Sequence, residues 1–90
     1  MKPFTIQPTP NPNSLKFTAT DGTFIESGML ACASAGEAAG HPLSAALFAV
    51  EGVYNVLVLP PFATVTKHPE ADWNAVLPRV ETILADHLAA

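Results

Sequence analysis

One thiol, three imidazoles and eight carboxylates are the groups in this 90-residue chain that could do acid–base, nucleophilic or metal chemistry. Cys32 is the single cysteine, so an intramolecular disulfide is excluded and these residues contain no CxxC pair. A nucleophilic thiolate needs a base or a positive field, and the neighbouring sequence offers only Glu37 and, farther on, His41. A bland free thiol is the simpler reading. His41, His68 and His87 follow one another at 27 and 19 residues, spacings that carry no ligand-motif meaning. His41 and His68 each precede a proline, which reads as an element boundary, and His87 suits a helix C-terminus. Cys32, His41 and His68 are the candidate metal ligands, and only convergence in space or between chains would unite them.

The carboxylates are no more suggestive. Glu51, Glu70 and Asp72 stand at helix or loop borders, where capping and solvation account for them. No GxxxxGK[ST] loop, GxGxxG turn or HExxH helix occurs. No catalytic residue is assigned, and a non-enzyme is expected.

Composition narrows the partners. Four basic residues against eight acidic ones leave a formal charge of −4, and no basic stripe forms, so nucleic-acid binding is not expected. No apolar run reaches the ~20 residues that span a bilayer. The opening Met1-Lys2-Pro3-Phe4-Thr5-Ile6 has no apolar core and no arginine, so no targeting signal is read and a cytoplasmic setting is the expectation. At 9.4 kDa the chain is expected to form one domain over 1–90, burying roughly 63% of its extended surface. Hydrophobic residues make up 49% and charged residues 13%, which implies a folded chain with a charge-poor surface, part of it suited to a partner.

These groups must be positioned by elements that the patterning supplies. Phe4 and Ile6 alternate with polar residues as a strand, which Pro8 and Pro10 should end, and Leu15 and Phe17 flank Lys16 in a second. Thr9 to Asn13 then form a wide connection shaped by Pro10, Asn11, Pro12 and Asn13. Asp21-Gly22 reads as a turn, with Thr23 to Ile25 a candidate short segment. The alanine- and glycine-rich 29–40 leaves a short helix or a loop open.

Pro42 opens a short helix with Leu43, Ala46, Leu47 and Val50 on one stripe, closed by Gly52 in a left-handed conformation. Val53–Leu59 and Phe62–Thr66 form a hairpin across Pro60-Pro61. Strict alternation puts Val53, Asn55, Leu57 and Leu59 on one face and Tyr54, Val56 and Val58 on the other. Burying Val56 and Val58 leaves Leu57 and Leu59 as a candidate exposed interface. Asp72 caps a last helix whose stripe runs from Trp73 through Val76, Leu77, Val80, Ile83 and Leu84 to Leu88, with Pro78 expected to bend it or shift its start. The fold class is α+β: a two-layer ββαββα domain, an antiparallel sheet with two helices packed on one face.

Two blocks, TPNPNSLKF at 9–17 and HPLSAALFAVEGVYNVLVLPPFATVTKHPEADW at 41–73, resemble the N-terminal domain of the Nfu (NifU-like) iron-sulfur cluster scaffold proteins. Thr9 to Phe17 match the family's opening signature. Pro42, Leu43, Leu47, Phe48, Glu51, Gly52 and Val53 match its helix and glycine turn, and Phe62, Thr64, Val65, Thr66, Lys67 and Trp73 match its last strand and helix start. His41 stands where the family commonly has a serine cap, and Pro60-Pro61 replaces a more usual glycine-containing hairpin.

The resemblance implies the same ββαββα arrangement and a place in iron-sulfur cluster assembly or delivery. In the family a separate C-terminal domain with a CxxC pair normally carries the cluster. The expectation is therefore a non-catalytic adaptor or protein-interaction domain without its own CxxC domain, holding no cofactor in this chain alone. Its expected partners are iron-sulfur assembly or recipient proteins, with a homodimer as a further option. Two alternatives stand beside it: an iron-sulfur cluster or metal bound between chains through Cys32, and a small cysteine- or histidine-dependent enzyme.

Overall fold

In a computed structural model of the chain, residues 3–89 are described; Met1 and Lys2, which open the stretch read for a targeting signal, and Ala90 lie outside them. The elements run β1 (Phe4–Pro8), β2 (Ser14–Ala19), β3 (Leu30–Cys32), α1 (Ala35–Ala38), α2 (Pro42–Phe48), β4 (Val53–Val58), β5 (Phe62–Lys67) and α3 (Trp73–Ala89). The five strands make one sheet in the order β1-β2-β5-β4-β3, and every pairing is antiparallel. The α+β class and the ββ…αββα frame are as the patterning implies. A fifth strand and a four-residue helix are added within the segment that composition left open.

One sheet face carries the core. Phe4, Phe17, Val56, Val58, Ala63 and Val65 point inward and meet Leu43, Leu47 and Val50 of the α2 region and Val76, Val80 and Leu84 of α3. Phe4 and Phe17 meet edge to face, with ring centroids 5.7 Å apart, a geometry that aromatic quadrupoles favour. Asp72 starts α3 as expected: its carboxylate accepts from the Asn74 amide at 2.9 Å. Pro78 does not shift that start, because α3 is continuous from Trp73 to Ala89 with the proline inside it.

β1 ends at Pro8 as expected, with the proline as its last residue, paired with Leu15; β1 is an edge strand, where a missing amide donor breaks no ladder. Two local readings are corrected. Thr23 to Ile25 form no strand: Phe24 is buried instead, its amide donating to Pro60 O at 2.8 Å, and the third strand is Leu30–Cys32. The strict alternation along β4 fails because its register against β5 shifts between Val53 and Asn55. The extra residue lets Val53 join Val56 and Val58 in the core and turns Tyr54 to solvent, 53% exposed.

Gly52 is the most closely packed of the five glycines. Its φ is +101°, and a Cβ there would lie 3.0 Å from Val76 Cγ2 and 3.1 Å from the Ala71 Cβ. Only glycine lets the chain leave α2 and enter β4 this close to α3.

Candidate functional site

The loop Thr9–Asn13 is ordered first by its own side chains. Asn11 Oδ1 accepts from the Asn13 amide at 2.9 Å, an Asx turn, and Thr9 Oγ1 accepts from the Asn11 amide at 3.2 Å. The Ser14 amide closes the turn on Asn11 O at 3.0 Å. The loop is then tied to two later elements. Lys67 Nζ donates to Asn13 Oδ1 at 2.8 Å, the Lys67 amide donates to Asn13 O at 2.8 Å, and Trp73 Nε1 donates to Pro12 O at 3.2 Å. Lys67 is only 7% exposed, and the other acceptor of its ammonium is His68 O. Pro10, Asn11 and Pro12 lie on the surface while their backbone is held from behind.

Sequence reasoning missed Lys67 as the clamp. A signal was there: it falls at an inward position of β5, in step with Ala63 and Val65, where a cation demands acceptors. Trp73 half-buries its ring against the core and uses its N–H on the loop, so it joins α3 to the signature.

The candidate ligands do not assemble. No group of three or more His, Cys, Asp or Glu among the described residues could hold a metal ion. Cys32 is 5% exposed, on the inward face of edge strand β3 opposite Val56. His41 caps α2: its Nδ1 accepts from the Leu43 amide at 3.2 Å, which commits that lone pair. His68 packs against Tyr54, with ring centroids 5.0 Å apart. His87 donates from Nε2 to Phe24 O, tying α3 to the 22–28 loop. His41 and His87 share a cleft of about 620 Å³ with Glu26, whereas His68 lines a separate cleft with Glu51, Glu70 and Asp72. Cys32 lines neither.

The face of the sheet away from the helices is the larger feature. Register places Thr5 and Gln7 of β1, Ser14, Lys16 and Thr18 of β2, Phe62, Thr64 and Thr66 of β5, Asn55 and Leu57 of β4 and Ala31 of β3 on it. None of these strand positions carries a carboxylate, although the chain has eight. Lys16 is the only cation among them, its Nζ 4.4 Å from the Phe62 ring centroid. Ser14 Oγ and Thr66 Oγ1 hydrogen-bond at 2.6 Å, while Thr18 Oγ1 is covered without a partner. Leu57 lies between Ala31 and Thr64, and both Leu57 and Leu59 are half-buried rather than fully exposed. No helix of the chain is long and apolar enough to cross a membrane among the described residues.

Comparison with known proteins gives a consistent pattern. Residues 4–90 match the family model for the scaffold protein Nfu/NifU N-terminal domain. The human protein named NFU1 iron-sulfur cluster scaffold homolog, mitochondrial, is 39% identical over 85 residues, covering 93% of this chain and 33% of that protein. The chain thus spans about a third of that relative's length. A NifU-like protein from Saccharomyces cerevisiae superposes with a TM-score of 0.78 at 25% identity, over 96% of this chain and 77% of that one. A crystal structure of a Staphylococcus aureus protein superposes at 0.75 with 28% identity, over 92% and 98%.

Proposed function

Because the chain belongs to the Nfu/NifU N-terminal scaffold family, we propose that these 90 residues act as a non-catalytic interaction domain, docking iron-sulfur assembly or recipient proteins on the open face of the sheet. The observation that carries this reading is the face itself. It is uncovered by either long helix, free of carboxylates in a chain of charge −4, and apolar around Leu57, Leu59 and Phe62. Four strands of five or six residues and the three-residue β3, at ~3.4 Å per residue and ~4.8 Å apart, offer roughly 400 Å². That is about half of the ~800 Å² per partner in a standard stable interface, which favours a transient contact over a permanent homodimer. Transient contact suits a carrier that must release its recipient.

In this reading the cluster ligands come from outside these residues, since the one cysteine is buried and no metal-holding group forms among the described side chains. No cofactor is assigned to the chain alone. The reduced thiol of Cys32 is compatible with a cytoplasmic setting, which belongs to the same proposal.

The test is co-purification from a reducing extract with the tagged chain and with two face variants, Leu57→Lys and Thr64→Glu. Recovery of cluster-assembly or cluster-receiving proteins by the parent, lost in both folded variants, is the expected result. Recovery of no protein of that class sinks the adaptor role. Equal recovery by parent and variants moves the contact elsewhere.

A further inference from the structure

We propose, resting on the docking role given to the open face, that Lys16 is its anchor: it takes a carboxylate from an acidic partner segment whose apolar side chain settles on Leu57. The strand pairings line up one row straight across the face, in the order Gln7, Lys16, Thr64, Leu57 and Ala31. The row changes character along its length. Lys16 stands between two neutral polar side chains, and beyond Thr64 come leucine and alanine. Lys16 and Leu57 are two strand spacings, about 10 Å, apart, so a partner that fits the row carries an acidic and an apolar side chain at that separation.

Lys16 differs from the other cations of the described residues. Lys67 is buried and spends its ammonium on Asn13 and His68, and Arg79 borders the cleft that Glu51, Glu70 and Asp72 line. Lys16 makes no ion pair among the described residues and rests its Nζ 4.4 Å from the Phe62 ring centroid. Its neighbours across the ladder, Gln7 and Thr64, and along its own strand on the same face, Ser14 and Thr18, are all uncharged. The ring holds this long side chain in place before a partner arrives, so less rotamer freedom is lost when the ammonium is used. The chain's eight side-chain carboxylates all lie on loops and helices. They repel an acidic segment from the rest of the surface and leave the face as the place that admits it. A basic segment meets the reverse, attraction elsewhere and a like charge at Lys16.

The simpler role for Lys16 is to cover Phe62 with its methylene stem while the ammonium stays in water. Lys16→Met keeps that cover and removes the charge, which separates the two roles. The experiment is selection of a phage-displayed random peptide library on the full chain, with the enriched peptides then measured against the parent, Leu57→Gln, Lys16→Met and Lys16→Arg. Leu57→Gln leaves the charge of the face unchanged, so sensitivity to it marks the peptides that dock there. Those peptides should carry aspartate or glutamate, with an apolar residue about three positions away where the peptide is extended. They should bind Lys16→Met about fivefold more weakly than the parent and Lys16→Arg within about twofold of it. On the unaltered chain, exchanging the peptide's carboxylate for the amide should cost the same factor of about five, and the amide peptide should no longer distinguish the parent from Lys16→Met. Face-dependent peptides that lack a carboxylate, or that bind Lys16→Met as tightly as the parent, overturn the anchor and leave docking on the face standing. Recovery of no peptide sensitive to Leu57→Gln overturns both.

Discussion

The corner built from Thr9–Asn13, Lys67 and Trp73 and the open face of the sheet are made from similar small polar residues, yet they use them in opposite ways. In the corner, side-chain oxygens and N–H groups are turned to partners within the fold: Asn11 to the Asn13 amide, Lys67 to the Asn13 side-chain oxygen and His68 O, Trp73 to Pro12 O. On the open face, Thr5, Thr64, Asn55 and Leu57 stand on the ladder with no second layer over them. The comparison separates two meanings that a sequence signature can have. A spent hydrogen-bonding group stabilises; an unspent one, with apolar surface beside it, is available to a partner.

Breaking the corner or the turn that backs it should therefore cost stability, and the largest loss is expected at Gly52, next to the corner, whose carbonyl accepts from the His68 amide at 2.8 Å. Gly52→Ala forces an L-residue to positive φ and drives a methyl against Val76 and Ala71. About 3 kcal/mol of destabilisation is expected from these two effects together. Chemical denaturation reads it, and a loss under about 1 kcal/mol would mean that α3 yields freely at its start.

Next comes Asn13→Ala, which removes one acceptor from the buried Lys67 ammonium and leaves His68 O as its other partner. A loss of about 2 kcal/mol is expected. Asn11→Ala should cost less, about 1 kcal/mol, since the acceptor it removes serves one exposed amide. If the two asparagine variants prove equally stable to the parent but lose partner binding, the corner is a contact surface and the contrast collapses.

What the sequence made legible follows the same division. The stripe of Val76, Val80 and Leu84, the five-residue loop and the Pro60-Pro61 hairpin were readable because each rests on local periodicity or on a residue with restricted φ. Lys67 was not singled out, because its acceptor lies 54 residues away and only β2–β5 pairing brings them together. Tyr54 was placed on the wrong face because a bulge is a fault in alternation that alternation cannot announce. β3 is three residues long, too short to show a period, and its pairing to β4 is a tertiary event. As for the candidate ligands, sequence could name Cys32, His41 and His68 but not the buried thiol, the committed Nδ1 or the ring packed on Tyr54.

The smallest stability effect is expected on the open face, and it sharpens the comparison most. Leu57→Lys replaces a half-buried leucine between Ala31 and Thr64 with a side chain whose methylene stem can lie along the same surface while its ammonium reaches water. Stability should change by no more than about 0.5 kcal/mol, as for surface substitutions away from core and caps. A partner seated on the face would meet a buried, unpaired charge, so its affinity should fall at least about tenfold. A variant that unfolds would place Leu57 in the structural core with Val56 and Val58. A variant that is stable and binds as the parent does would leave the open face without the role assigned to it.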